Sequence, residues 1–134
     1  MKHYEPGVYY AFSKTIAECD IYNFAGLSGD FNPMHLDAEH AKNSRFGQRI
    51  AHGMLSAALI SGALFQSGLG YGGIYVSQTL YFRAPVFIGD TITITLDIKE
   101  INEEKGRLKV ETVATNQDGK VVMTGMADLI PGDK

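Results

Sequence analysis

The sequence predicts an α+β fold in which a curled antiparallel sheet wraps one long, buried central helix. Three observations predict it. No Asp, Glu, Lys or Arg occurs between Arg49 and Arg83, and the helical part of that span, roughly residues 52–67, lacks any charged face, as expected of a helix surrounded by protein. Residues 91–98 alternate without a break, with Ile92, Ile94, Leu96 and Ile98 opposite Thr91, Thr93, Thr95 and Asp97, the period of a strand with one buried face. Helical patterns come before a run of strand patterns instead of alternating with them, which separates α+β from α/β.

The elements follow in order. Residues 8–14 suit a short strand. Thr15-Ile16-Ala17-Glu18 has the capping-box pattern, so a helix should start there. Its buried stripe should carry Ile21, Phe24 and Leu27, and Gly26 and Gly29 let it stop. Asn32-Pro33 holds Asn32 out of the helical region and stiffens a loop. Asp37 can cap a second short helix over about residues 38–43. The buried helix runs from about His52 until Gly68, Gly70, Gly72 and Gly73 break it. Residues 75–83 read as a strand stopped by Pro85, and Gly89-Asp90 as a turn. After the alternating strand, residues 103–106 make a turn, residues 108–115 a strand, Asp118-Gly119 a hairpin turn and residues 121–130 the last strand of a meander. A sheet of this kind leaves an open edge and an uncovered end of the helix. A second copy would cover both, so a homodimer is expected.

Composition narrows the function classes. The chain has 134 residues, which fits one domain over 1–134. Hydrophobic residues make up 45% and charged residues 20%, enough apolar content to build a core without staples. Twelve basic against 15 acidic residues, net −3 and without like-charge blocks, argue against nucleic acid. The single cysteine, Cys19, permits no internal disulfide and points to a reducing, cytoplasmic setting. The apolar run after His52 is shorter than the roughly 20 residues a bilayer needs, so no membrane span is expected, and residues 1–6 lack the apolar stretch of a signal peptide.

The chemistry concentrates in residues 27–61. Asp30 and His35 lie five apart around Asn32-Pro33. A carboxylate and an imidazole held about one point can orient a water, take its proton and return a proton nearby. Residue types alone leave open that Asp30 only ends a turn and His35 is a surface histidine. His52-Gly53 opens the apolar helix. First-turn N–H groups have no helical partner and carry partial positive charge, which suits the oxygen of a thioester or ester. Alternatively, Gly53 only permits close packing and His52 satisfies a backbone carbonyl. Ser28 and Ser61 lack the Gly-x-Ser-x-Gly setting of a serine hydrolase. Cys19 reads as a packing residue. Asp30, His35, His40 and His52 lack the helical i, i+4 spacing of a zinc motif. Arg45, Arg49 and Arg83 are candidates for phosphate contacts.

The stretch Ser28-Gly29-Asp30-Phe31-Asn32-Pro33-Met34-His35, with His52-Gly53-Met54 and Pro85-Val86-Phe87-Ile88-Gly89-Asp90, resembles the MaoC-like (R)-specific enoyl-CoA hydratases, the hydratase 2 group, over nearly the whole chain. The resemblance implies a hot-dog fold, a homodimer with acyl-CoA entering near the subunit interface, and reversible syn hydration of trans-2-enoyl-CoA to (R)-3-hydroxyacyl-CoA. It implies Asp30 and His35 as the catalytic pair, Gly53 N–H on the thioester oxygen, Asn32 orienting loop or water, and Ser61 in support. It implies no metal or redox cofactor, the coenzyme A thioester being the substrate. Neighbouring readings are a 3-hydroxyacyl dehydratase acting on acyl carrier protein or an unusual acyl-CoA, and a non-catalytic acyl-CoA-binding hot-dog subunit. A hot-dog thioesterase fits less well, because the complete Asp-x-Asn-Pro-x-His loop is the hydratase pattern.

Overall fold

Ile16 sets the first junction. It is the first residue after strand β1 (Gly7–Thr15), lies fully in the core, and bonds Asp90 through its N–H (2.8 Å) and Gly89 through its carbonyl (2.8 Å). The computed structural model, which describes residues 3–132, therefore keeps the chain extended through Thr15. The Thr15 hydroxyl meets that of Thr91 across the strands at 2.7 Å and is not a helix cap. Helix α1 (Glu18–Ser28) starts two residues late, capped from behind by Asp20, which accepts the Ala17 N–H at 2.8 Å.

The buried stripe of α1 holds Ile21 and Ala25, with Phe24 beside it. Leu27, expected there, is 88% exposed, because it lies about 120° round the helix from Ile21. Cys19 is exposed as well, not packed. Gly29 closes α1 in the left-handed region (φ 81°), donating to the Ala25 carbonyl at 2.8 Å. Two short helices follow, α2 (Pro33–Leu36) and α3 (Ala38–Lys42), then α4 (Gly53–Gln66). Asp37 caps α3 as expected, accepting from the N–H groups of Glu39 and His40.

Strands β2 (Ile74–Phe82), β3 (Thr91–Asn102), β4 (Arg107–Thr115) and β5 (Val121–Ile130) join β1 in one antiparallel sheet, ordered β1-β3-β4-β5-β2. The alternation of β3 appears as expected, with Ile92, Ile94, Leu96 and Ile98 fully buried, and a register shift between Ile98 and Glu100 ends it. Such bulges add bend and twist, and similar shifts in the other strand pairs let the sheet curl.

The meander is β3-β4-β5 alone. β2 does not pair with β3 but crosses to the far side of β5. The connection 83–90 is a strap, not a tight turn. Its Val86 carbonyl accepts the Ala51 N–H at 2.7 Å, Phe87 bridges to Ile50, and Gly89-Asp90 holds the end of β1. This strap fixes where α4 enters.

Helix α4 is enclosed on one side only. Leu55, Ile60, Ala63 and Leu64 pack into the core, whereas Met54, Ala58, Ser61 and Phe65, at helical spacing, form an exposed row. The expectation of a helix buried on every side needs that correction: five strands of one chain curl round a single face. No helix among the described residues is long and apolar enough to cross a membrane.

Candidate active site

Local hydrogen bonds build the loop between α1 and α2. Ser28 Oγ donates to the Phe24 carbonyl at 2.7 Å and accepts the Asp30 N–H at 3.1 Å. Asp30 Oδ1 accepts the Asn32 N–H at 3.2 Å, and Asn32 Oδ1 accepts the Met34 N–H at 3.0 Å. Asn32 is thus the N-cap of α2, with Pro33 at the first position, where its missing N–H costs nothing. His35 therefore sits on a one-turn helix, not on open loop, and is buried.

The imidazole of His35 is aimed by one contact. Its Nδ1 donates to the Ile50 carbonyl at 2.7 Å. A carbonyl only accepts, so Nδ1 carries the hydrogen and a neutral ring presents its lone pair at Nε2. Ile50 is itself tied down, its N–H donating to the Met34 carbonyl at 3.2 Å. His52 Nε2 lies 3.0 Å from the backbone carbonyl of Asp30, and the His52 ring stacks on His35 with centroids 3.8 Å apart. One carboxylate oxygen of Asp30 and one ring nitrogen each of His35 and His52 lie within 4.8 Å of one another.

These groups open onto one cleft of about 510 Å³, lined by Asp30, His35, His52, Gly53 and Ser56 and by apolar side chains including Phe82 and Val86. Gly53 is the first residue of α4, so its N–H has no partner inside the helix. A Cβ on Gly53 would come within 2.8 Å of the Phe82 ring. The ring packs where only a glycine leaves room. Among the described residues, His52 Nδ1 and Ser56 Oγ are the buried side-chain polar atoms without a hydrogen-bond partner, and both residues line the cleft.

Asp30, His35 and Gly53 come together. Asn32 does not line the cleft, its side chain being spent on the α2 cap. Ser61 lies elsewhere, on a second cavity of about 240 Å³ beside Leu64, Phe65 and Tyr75. Of the arginines, Arg45 and Arg83 line the cleft. Arg49 is committed to Glu18, whose carboxyl it holds below its ordinary range by hydrogen bonding. Ser56 and Phe82 escaped the sequence reading, since a serine in an apolar helix and an aromatic closing a strand are both unremarkable as types.

A curled antiparallel sheet around one helix, with an acid–imidazole loop at the helix entrance, defines the hot-dog class of acyl-thioester proteins. The chain matches the model of the MaoC-like domain over residues 4–121 and belongs to that family. It is 48% identical over 120 residues to an (R)-specific enoyl-CoA hydratase of Rhodospirillum rubrum, covering 90% of this chain and 83% of that protein. Its fold is similar to the (R)-hydratase of Aeromonas caviae involved in PHA biosynthesis, with TM-score 0.94, 37% identity and coverage of 98% and 100%. It is also similar to the R-hydratase PhaJ1 of Pseudomonas aeruginosa in the unliganded form, with TM-score 0.92, 43% identity and coverage of 98% and 84%.

Proposed function

We propose that this chain catalyses the reversible, (R)-specific syn addition of water to trans-2-enoyl-CoA, giving (R)-3-hydroxyacyl-CoA. The observation that carries the reading is the convergence of an Asp30 oxygen and a His35 ring nitrogen within 4.8 Å, in the cleft that also holds Gly53. The activity of the relatives supports the stereochemistry and the thioester.

The steps follow from the groups present. The Gly53 N–H donates to the thioester oxygen, which gains charge as C3 is attacked. Asp30 and His35 Nε2 both accept hydrogen bonds from one water and leave its lone pair facing C3. A C3–O bond forms, and the water gives one proton to the pair. With His35 Nδ1 spent on Ile50, the neutral ring has no spare proton at Nε2, so the proton delivered to C2 is the one just taken from water. Both new bonds then form on one face, and the pair returns to its starting state.

Proton transfer and oxyanion stabilisation are the only tasks, so the mechanism gives no step to a metal or redox group. Each histidine has one ring nitrogen engaged by a carbonyl, which leaves one nitrogen per ring for other work.

The substrate partner of this reading is an acyl-CoA, with Arg45 and Arg83, both exposed on the cleft, meeting its phosphates. The protein partner is a second copy of the chain. β2 is an edge strand with Ile74 60% exposed, and the exposed row on α4 ends at Phe65, also 60% exposed. An open ladder and an apolar helix row on one chain suit a self-complementary, two-fold interface. The exposed single thiol of Cys19 fits a reducing, cytoplasmic setting.

The test follows loss of the conjugated enoyl chromophore from crotonyl-CoA and longer enoyl-CoAs, with chiral analysis of the product. The parent should turn over and yield the (R) alcohol. Asp30→Asn and His35→Ala should each lose about 100-fold or more in kcat while staying folded, since neither side chain fills the core. Unchanged turnover in either variant would rule out its role, and an (S) product would rule out the stereochemistry.

A further inference from the structure

We propose that His52 is a positioning residue for the hydration step, acting through Asp30 and His35. The inference rests on the hydratase reading and adds a residue that reading does not use.

His52 is 2% exposed, its ring in contact with those of Phe24 (centroids 4.9 Å) and His35 (3.8 Å, 27°). Its Nε2 reaches the backbone carbonyl of Asp30 at 3.0 Å. Because that carbonyl can only accept, Nε2 carries the hydrogen. Nδ1 is buried and faces no acceptor; a second N–H there would be left unpaired. The ring is therefore fixed as the Nε2–H tautomer.

One residue thereby reaches all three parts of the site. A hydrogen bond holds the main chain of Asp30. A stacked face backs the ring of His35, whose Nδ1 is held by the Ile50 carbonyl. The peptide bond to Gly53 links it to the amide assigned to the thioester oxygen, with His52 itself the N-cap of α4. Among the described residues, His52 is the side chain bonded to the Asp30 carbonyl. Without His52 the carboxylate would keep its bond from the Asn32 N–H, but the main chain of Asp30 would lose its tie to the entrance of α4. A misplacement on the order of 1 Å costs about 100-fold in rate.

Two variants of nearly equal shape separate the hydrogen bond from the packing. In His52→Gln the side-chain amide keeps an N–H that can reach the Asp30 carbonyl. In His52→Met a similar volume carries no donor. We expect His52→Met to lose about 100-fold in kcat with KM within about threefold, and His52→Gln to recover at least about tenfold of that loss. Long-range ¹H–¹⁵N spectra of the ring nitrogens in the unliganded parent should show His52 as Nε2–H and His35 as Nδ1–H. Equal turnover in the two variants, parent-like turnover in His52→Met, a rise in KM alone, or an Nδ1–H tautomer at His52 would each overturn the proposal. The tautomer readout needs neither variant nor substrate. A parent chain inactive on enoyl-CoA would sink the hydratase reading and leave those spectra to decide the arrangement at His52.

Discussion

Gly53 and Phe82 lie against each other in the cleft. A methyl group on Gly53 would meet the far edge of the ring at 2.8 Å, and Phe82, at the end of edge strand β2, is free to swing outward. Gly53→Ala should therefore fold, with Tm within a few degrees of the parent, while the displaced ring reshapes the cleft. We expect kcat/KM to fall about tenfold or more. In Gly53→Ala/Phe82→Ala the two effects should not add, because the bulk that the methyl group displaces is already gone. Strict additivity in the kinetic cycle would show that the ring is not the neighbour that matters. At this scale the sequence was legible where spacing carries meaning. Asp30, Pro33 and His35 form a pattern, and so do His52 and Gly53. The second role of His52, its stack on His35, was not legible, because residues 17 apart in the chain meet only once the strap has set the entrance of α4.

Among the elements, β3 and α4 were the easiest to read and β2 the hardest. Unbroken alternation in β3 reports one buried face directly. The apolar length of α4 reports burial but not how much of its circumference one chain can cover. The place of β2 depends on a crossover, and crossovers leave little trace in local pattern: residues 83–90 have the Pro and Gly of a turn whichever strand comes next. The Thr15 cap failed for a similar reason. The motif was present, but Ile16 had a place in the core, and tertiary burial outweighed local capping. The exposed row on α4 is where the dimer can be tested. Ala58→Asp puts a charge in the middle of that row, at a position exposed in the single chain. By light scattering, the parent should have twice the chain mass and the variant the mass of one chain, with its helical circular dichroism retained. A parent of single-chain mass, or a variant that still dimerises, would remove α4 from the interface.

Across the molecule, stability and chemistry depend on different parts. Arg107 on β4 grips Asp128 on β5 with two bonds of 3.1 Å each. Those bonds hold the Asp128 carboxyl below its usual 3.8, against a smaller opposing effect of burial. A carboxyl lowered in the folded state stabilises the fold above its unfolded value and loses that contribution as pH falls through the folded value. Arg107→Met should lower Tm at pH 7 by no more than a few degrees, as expected for a half-buried ion pair at the surface of the sheet. The gap to the parent should close on acidification below the ordinary carboxylate range, while kcat for the enoyl-CoA stays unchanged. A gap that persists in acid would mean the arginine acts through its hydrocarbon stem and not its charge.

The strap at residues 83–90 has a consequence for how such a protein can change. Everything assigned to bond-making lies between Asp30 and Gly53, and the main chain of this segment joins the strap through the Ala51–Val86 bond and the Ile50–Phe87 bridge. Strands β3 and β4 carry none of that chemistry. Lineages can therefore rebuild the wall of the molecule residue by residue, altering how long it survives heat, while the reaction is inherited intact on a short cassette clipped in at one end.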